Sequence, residues 1–149
     1  MRFLLIANPV SGDARMEAKI EAALAYFAKH ADSVDLRFTE YPGHATSIAR
    51  EGAFHGYDAI IGAGGDGTIN EVLNGIVGTG ARLGVLPWGT GNVFAKEMRI
   101  SSRIKKQCKL IRKGKAIASI AAAAARSTLS SWPAPVSTPL PCGAAVDFP

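Results

Sequence analysis

An open α/β sheet with mainly parallel strands and flanking helices is the fold this sequence predicts. Three observations carry it. Short apolar runs recur along the first part of the chain, stretches with helical apolar spacing lie between them, and each run leads into a loop rich in Gly, Pro, Asn, Ser or Thr.

Arg2–Ala7 (RFLLIA) reads as the first strand. Its apolar core stops at an Asn-Pro turn and no small-residue cleavage site follows, so a signal peptide is the poorer reading. Ala14–Lys29 places Met16, Ile20, Leu24 and Phe27 at helical spacing and predicts a helix. Val34–Phe38 is a second short strand, Ala45–Ala53 a second helix, Tyr57–Ile61 a third strand, Thr68–Ile76 a third helix and Leu83–Leu86 a fourth strand. The first, third and fourth strands are nearly continuous in apolar or small residues, the pattern of strands covered on both faces. Right-handed crossovers follow from this alternation of strand and helix.

A chain of 149 residues is the size of one domain with a core of its own, and its 48% hydrophobic content suits a globular protein. The strongly apolar runs are too short to cross a bilayer. Two cysteines, Cys108 and Cys142, show no CxxC or Cys/His spacing, which removes a disulfide framework and a zinc site and makes the reducing cytoplasm the expected location. The net charge of +5 is uneven: Lys96 to Lys115 holds nine Lys/Arg against one acid, leaving the remainder net acidic. That distribution does not describe a nucleic-acid binder.

Residues 116–149 differ in character. They carry five of the eight prolines, an alanine run and only two charges, Arg126 and Asp147. Disorder is expected there, with a short helix through the alanines.

In a parallel sheet every strand-to-helix loop opens on one edge, where ligands of such folds bind. Four loops collect there: NPVSG (Asn8–Gly12), TEYPGHA (Thr39–Ala45), GAGGDGT (Gly62–Thr68) and PWGTGN (Pro87–Asn92). Gly62, Gly64 and Gly67 satisfy GxGxxG, but no Asp or Glu lies between Glu71 and Glu97 to hold a ribose, which argues against a dinucleotide site. The lysine of a Walker A loop is also missing. What remains is a loop whose main-chain N–H groups, together with the start of the following helix, face an anion. Glycines permit the positive φ angles and the close approach that such a loop uses. The bland alternative is a tight strand-to-helix turn. Thr68-x-x-Glu71 fits a capping box, which gives both residues a helix-starting role. A carboxylate at Asp66 beside a polyphosphate calls for a cation or a hydroxyl donor between them, so a magnesium-linked or ribose-linked role is the functional reading and a solvated turn residue the other.

NPVSG, TEYPGHA, GGDGTINEVLNG and LGVLPWGTGN, in this order and spacing, resemble the catalytic domain of the diacylglycerol kinase and sphingosine kinase family, bacterial lipid kinases included. GGDGT alone is also similar to a motif of NAD kinases and phosphofructokinases; the four together cover Met1 to about Lys115. The resemblance implies an ATP-dependent kinase that uses Mg²⁺ and phosphorylates a lipid hydroxyl. It implies a two-domain protein with the active site in the cleft between a nucleotide-binding α/β domain, here residues 1–115, and a larger β-rich domain. Asn8, Ser11 and Gly12 match its first nucleotide loop, and Thr39 the threonine beside the nucleotide. Gly64, Gly65, Asp66, Gly67, Thr68, Asn70 and Glu71 match its glycine-rich loop, and Thr90, Gly91 and Asn92 its last. Asp66 is the one candidate for contact with magnesium, and His44 has a structural place at the start of a helix.

The family's catalytic base and further metal ligands lie in the second domain, for which residues 116–149 have no counterpart. A shifted reading frame or a truncated gene gives such a tail. The expectation is therefore a nucleotide-binding portion of a lipid kinase, with diacylglycerol, a sphingoid base or phosphatidylglycerol as acceptor. A non-catalytic nucleotide-binding module and an NAD kinase-like enzyme of a soluble substrate are the alternatives. Ile100, Ile104, Cys108 and Ile111 stand near helical spacing among the cations of 96–115. That segment is either a helix packed by its isoleucines with a solvated basic face, or one lying on an anionic membrane, which places the protein peripherally at the inner membrane surface.

Overall fold

The computed structural model describes residues 1–10, 15–30 and 32–114. Its strands are β1 (Arg2–Ala7), β2 (Ser33–Phe38), β3 (Ala59–Gly64) and β4 (Arg82–Pro87). Its helices are α1 (Met16–Lys29), α2 (His44–Phe54), α3 (Asp66–Ile76), α4 (Val93–Glu97) and α5 (Ile104–Arg112). The strands form one sheet in the order β2-β1-β3-β4, parallel at every pairing, as expected from the alternation of strand and helix. The tail beyond Gly114 and residues 11–14, among them Ser11 and Gly12, lie outside the described residues.

Successive side chains of a strand point to opposite faces, and here both faces of the inner strands are covered. Phe3, Leu5 and Ala7 of β1 and Ala59, Ile61 and Ala63 of β3 meet α1 and α5, including Phe27, Cys108 and Ile111. Leu4 and Ile6, with Ile60, Leu83 and Val85, meet α2 and α3 through Ile48, Ile69 and Val72. All six residues of β3 are buried, which is why its sequence lacks alternation. Strand β2 lies at the edge and none of its residues is fully buried, which its mixed sequence reflects. Each large side chain fully buried in these layers contributes about 1.5–3 kcal/mol.

The path of the chain fixes where loops meet. From β1 the chain crosses by α1 to β2 on one side; from β2 it returns by α2 on the other face to β3, and continues by α3 to β4. Direction and face reverse together, so the three crossovers share one hand, as the handedness rule requires. The reversal falls between β1 and β3, and ligands of such sheets bind outside the carboxyl ends of the strands at that point.

The basic segment is not one helix. Arg99 has φ of 50° and separates α4 from α5. Ile100 joins the α2/α3 layer, whereas Cys108 and Ile111 join the α1/α5 layer. Its apolar residues are thus packed, while Lys105, Lys106, Lys109 and Arg112 of α5 are exposed. Among the described residues no helix is long and apolar enough to cross a membrane.

Candidate functional site

At the switch between β1 and β3 an open cleft of about 420 Å³ is lined by three of the four loops. The first supplies Asn8 and Val10, the second Thr39 to Pro42, and the third Gly65, Gly67 and Thr68 with Glu71 behind them. Asn8 Nδ2 donates to Thr68 Oγ1 at 3.3 Å, joining the first loop to the start of α3. The first helical hydrogen bond of α3 runs from Ile69 N to Gly65 O, so the preceding N–H groups at Gly67 and Thr68 have no partner within the helix. These donors and the positive end of the helix dipole stand at the cleft.

The positive φ expected of the glycines is not found. None of Gly62, Gly64, Gly65 and Gly67 has positive φ. A Cβ on Gly65 would be in ordinary contact at 3.8 Å and one on Gly67 would meet nothing within 4 Å. The close approach is required of Gly89, where a Cβ would lie 2.4 Å from Gly65 Cα, so the third and fourth loops touch through bare backbone. Trp88 N and Gly89 N both donate to Gly64 O, at 2.9 and 3.1 Å.

The capping-box reading is corrected. α3 starts at Asp66, two residues before the expected Thr68, and no side chain caps it. Glu71 instead reaches the neighbouring helix, accepting from Gly43 N at 2.9 Å and Ala45 N at 3.2 Å. It thus caps α2, whose start follows Gly43 with φ of 86°. His44 has the structural place expected, with Nδ1 accepting from Glu40 N at 3.2 Å and its ring stacked on Tyr41 at 4.4 Å.

Asp66 faces the fourth loop. Its two carboxylate oxygens accept from Val93 N at 3.0 Å and Phe94 N at 3.1 Å, tying α3 to α4. Thr90, Gly91 and Asn92 stand beside it but do not line the cleft. Asn92 adopts φ of 48°, donates to Gly89 O and keeps a buried Oδ1 with no partner among the described residues. Gly64 is the buried last residue of β3, and Asn70 accepts from Asn74 on the outside of α3. Of the expected residues the cleft therefore unites Asn8, Thr39, Gly65, Gly67, Thr68 and Glu71, whereas Gly64, Asp66, Asn70, Thr90, Gly91 and Asn92 are not part of its lining.

Val10, Glu40, Tyr41 and Pro42 line the cleft without having been singled out in the sequence. Nearness in sequence to Asn8 and Thr39 was the signal that pointed to them. The lining contains Glu40 and Glu71 and neither lysine nor arginine among the described residues, so anion attraction rests on main-chain N–H groups.

A profile of the family described as "Diacylglycerol kinase catalytic domain" matches residues 2–123. A diacylglycerol kinase of Bacillus subtilis (strain 168) is 41% identical over 101 residues, 66% of this chain and 33% of that protein. One from Staphylococcus aureus (strain bovine RF122 / ET3-1) is 39% identical over 105 residues, covering 69% of this chain and 33% of the relative. The crystal structure of a diacylglycerol kinase from Bacillus anthracis str. Sterne superposes with a TM-score of 0.66 at 31% identity, over 75% of this chain and 42% of that one. The chain thus spans about one third of the length of the curated relatives it matches. With the profile covering most of its length, this chain belongs to the diacylglycerol kinase catalytic domain family.

Proposed function

We propose that this chain is the nucleotide-binding portion of an ATP-dependent lipid kinase, a phosphotransferase that moves the terminal phosphoryl group of ATP to a lipid hydroxyl. The observation that supports the reading most is the meeting of Asn8, Thr39 and the Gly65–Thr68 turn at the topological switch point, with helix N–H groups beside them that have no partner within the helix. The kinship with proteins named diacylglycerol kinase supports a lipid acceptor.

Phosphoryl transfer depends chiefly on positioning and on neutralising charge. In this reading Gly67 and Thr68 N–H groups hold phosphate oxygens, the Asn8–Thr68 bond fixes the helix start against the first loop, and Thr39 bounds the far side of the cleft. Glu71 and Asp66 act as positioning residues, since each joins two elements through backbone N–H groups. Magnesium, when bound with the nucleotide, supplies charge neutralisation. Among the described residues no three His, Cys, Asp or Glu side chains are grouped to hold a metal. The donor set therefore fits a cation carried in on phosphate oxygens and water, with Asp66 contributing at most its remaining lone pairs. The acceptor hydroxyl needs a base for its proton, and we assign that role to no residue of this cleft. On this reading the cleft binds nucleotide.

The solvated basic face of α5, with Lys105, Lys106, Lys109 and Arg112 exposed, suits contact with an anionic inner-membrane surface near a lipid substrate. Calorimetry with magnesium-ATP tests the main reading. Saturable heat with a micromolar to millimolar dissociation constant is the expected result, weakened in Thr68→Ala. Absence of heat with a chain shown to be folded by circular dichroism overturns it. Salt-sensitive sedimentation with anionic vesicles is the expected result for the membrane contact, and its absence at low salt removes that part alone.

A further inference from the structure

Among the described residues strand β2 has one unpaired side. Ser33 N donates to Met1 O and Thr39 N to Ala7 O, so the odd-numbered residues of this strand turn their backbone groups toward β1. Neighbouring residues of a strand direct their N–H and C=O groups to opposite sides. Those of Val34, Leu36 and Phe38 therefore point out of the sheet, and the Phe38 side chain is 47% exposed at its end. Such an edge is a template for another strand unless something blunts it. Proline and runs of like charge are the usual devices, and β2 (SVDLRF) has neither. It carries instead one acid and one base, Asp35 and Arg37, two residues apart and on the same face beside α2. Tyr57 Oη donates to Asp35 at 2.5 Å, while Arg37 has no hydrogen bond or ion pair among the described residues.

We propose that β2 is a self-association edge, pairing antiparallel with β2 of a second copy of this chain about a twofold axis through Leu36. This axis joins two four-stranded sheets into one. It sets Leu36 against its own equivalent and Val34 against Phe38 as hydrogen-bonded pairs, which satisfies all three outward-facing residues at once. Asp35 then stands opposite Arg37 of the second copy, twice, at the closer non-hydrogen-bonded positions where cross-strand charge pairs act most strongly. An axis one residue earlier opposes two Asp35 carboxylates, and one residue later two Arg37 guanidiniums, so charge selects the register. The contact is isologous and closes at two copies. It also gives the unpaired guanidinium of Arg37 a carboxylate.

Sedimentation velocity of the full chain over a range of concentrations tests the proposal. A monomer–dimer equilibrium is expected. Arg37→Asp and Asp35→Arg each place like charges across the axis and raise the dimer dissociation constant about tenfold or more. Mixing the two single variants restores association, because each then offers the charge the other lacks, and Asp35→Arg/Arg37→Asp restores the homodimer. Arg37→Asp removes no bond among the described residues, so it remains informative even if Asp35→Arg, which loses the Tyr57 contact, fails the circular-dichroism check of folding. A wild-type chain that stays monomeric at high concentration overturns the proposal. So does an Arg37→Asp chain that associates as the wild type does, or a mixture of two folded single variants that stays apart.

Discussion

Glu71 shows how one side chain can be read correctly as a cap and assigned to the wrong helix. Its spacing from Thr68 suggested a local box, yet α3 begins earlier and the carboxylate serves Gly43 N and Ala45 N at the start of α2. Losing such a cap costs about 0.5–2 kcal/mol. Glu71→Ala is therefore expected to lower the unfolding free energy measured in urea by an amount in that range, and an unchanged midpoint at the same slope would contradict the assignment. Tyr57 offers a second check at this scale. Its hydroxyl donates to Asp35, and that bond, with some burial and the nearby carboxylate charge, raises its pKa above the ordinary value of 10.0, while Arg2 pulls the other way. A folded-state pKa raised above the unfolded one contributes stability that is complete below pH 10 and is lost as pH rises through the folded value. The difference in phenolate absorbance between wild type and Tyr57→Phe is expected to titrate above that pH, and Asp35→Asn to bring it back down. A wild-type titration at the ordinary value would remove the Asp35 bond from the account.

Among the elements, β1, β3, β4 and the helices between them were legible because buried strands and amphipathic helices write their burial into sequence period. The segment from Val93 to Arg112 was legible only in part. Apolar spacing through Ile100, Ile104, Cys108 and Ile111 suggested one helix, but the left-handed Arg99 splits it and sends Ile100 to the opposite face of the sheet. Period alone does not reveal a single residue with positive φ. The anchor of α5 was equally hidden: Gln107, 2% exposed, accepts from Trp88 Nε1 at 3.2 Å and donates to Ser101 O at 2.8 Å. A glutamine between lysines reads as surface, although it lies one position before Cys108 on the packed side. Removing it leaves a buried indole N–H and a carbonyl unmet, which costs about 1–3 kcal/mol. Gln107→Ala is expected to show that loss in thermal or urea unfolding, with a greater mobility of the Trp88 loop detectable as changed tryptophan emission. A variant as stable as wild type would show that solvent replaces these bonds freely.

For the whole molecule, the meeting of loops was legible because a parallel sheet sends every strand-to-helix turn to one edge, but which loops share a cleft was not. That depended on strand order, which places β1 and β3 side by side at the reversal and leaves the fourth loop packed behind Gly65 instead of beside the cavity. The same arrangement leaves a cleft with Glu40 and Glu71 on its wall, no lysine or arginine on it among the described residues, and only N–H groups to attract an anion. A phosphate cradle with a lysine tolerates bare ATP; on the proposed function this cleft would oppose it, because carboxylates and an uncompensated polyphosphate repel one another at short range. Nucleotide binding is therefore expected to depend on the divalent cation more steeply than in a lysine-bearing loop. Replacing magnesium by EDTA in the calorimeter should weaken ATP at least about tenfold, roughly 1.4 kcal/mol. Glu40→Gln, which removes an exposed carboxylate that takes no part in holding elements together, should reduce that difference. Equal affinity with and without magnesium in the wild-type chain would mean that a cation of the protein reaches the phosphates, and that charge at this sheet edge is balanced by a side chain after all.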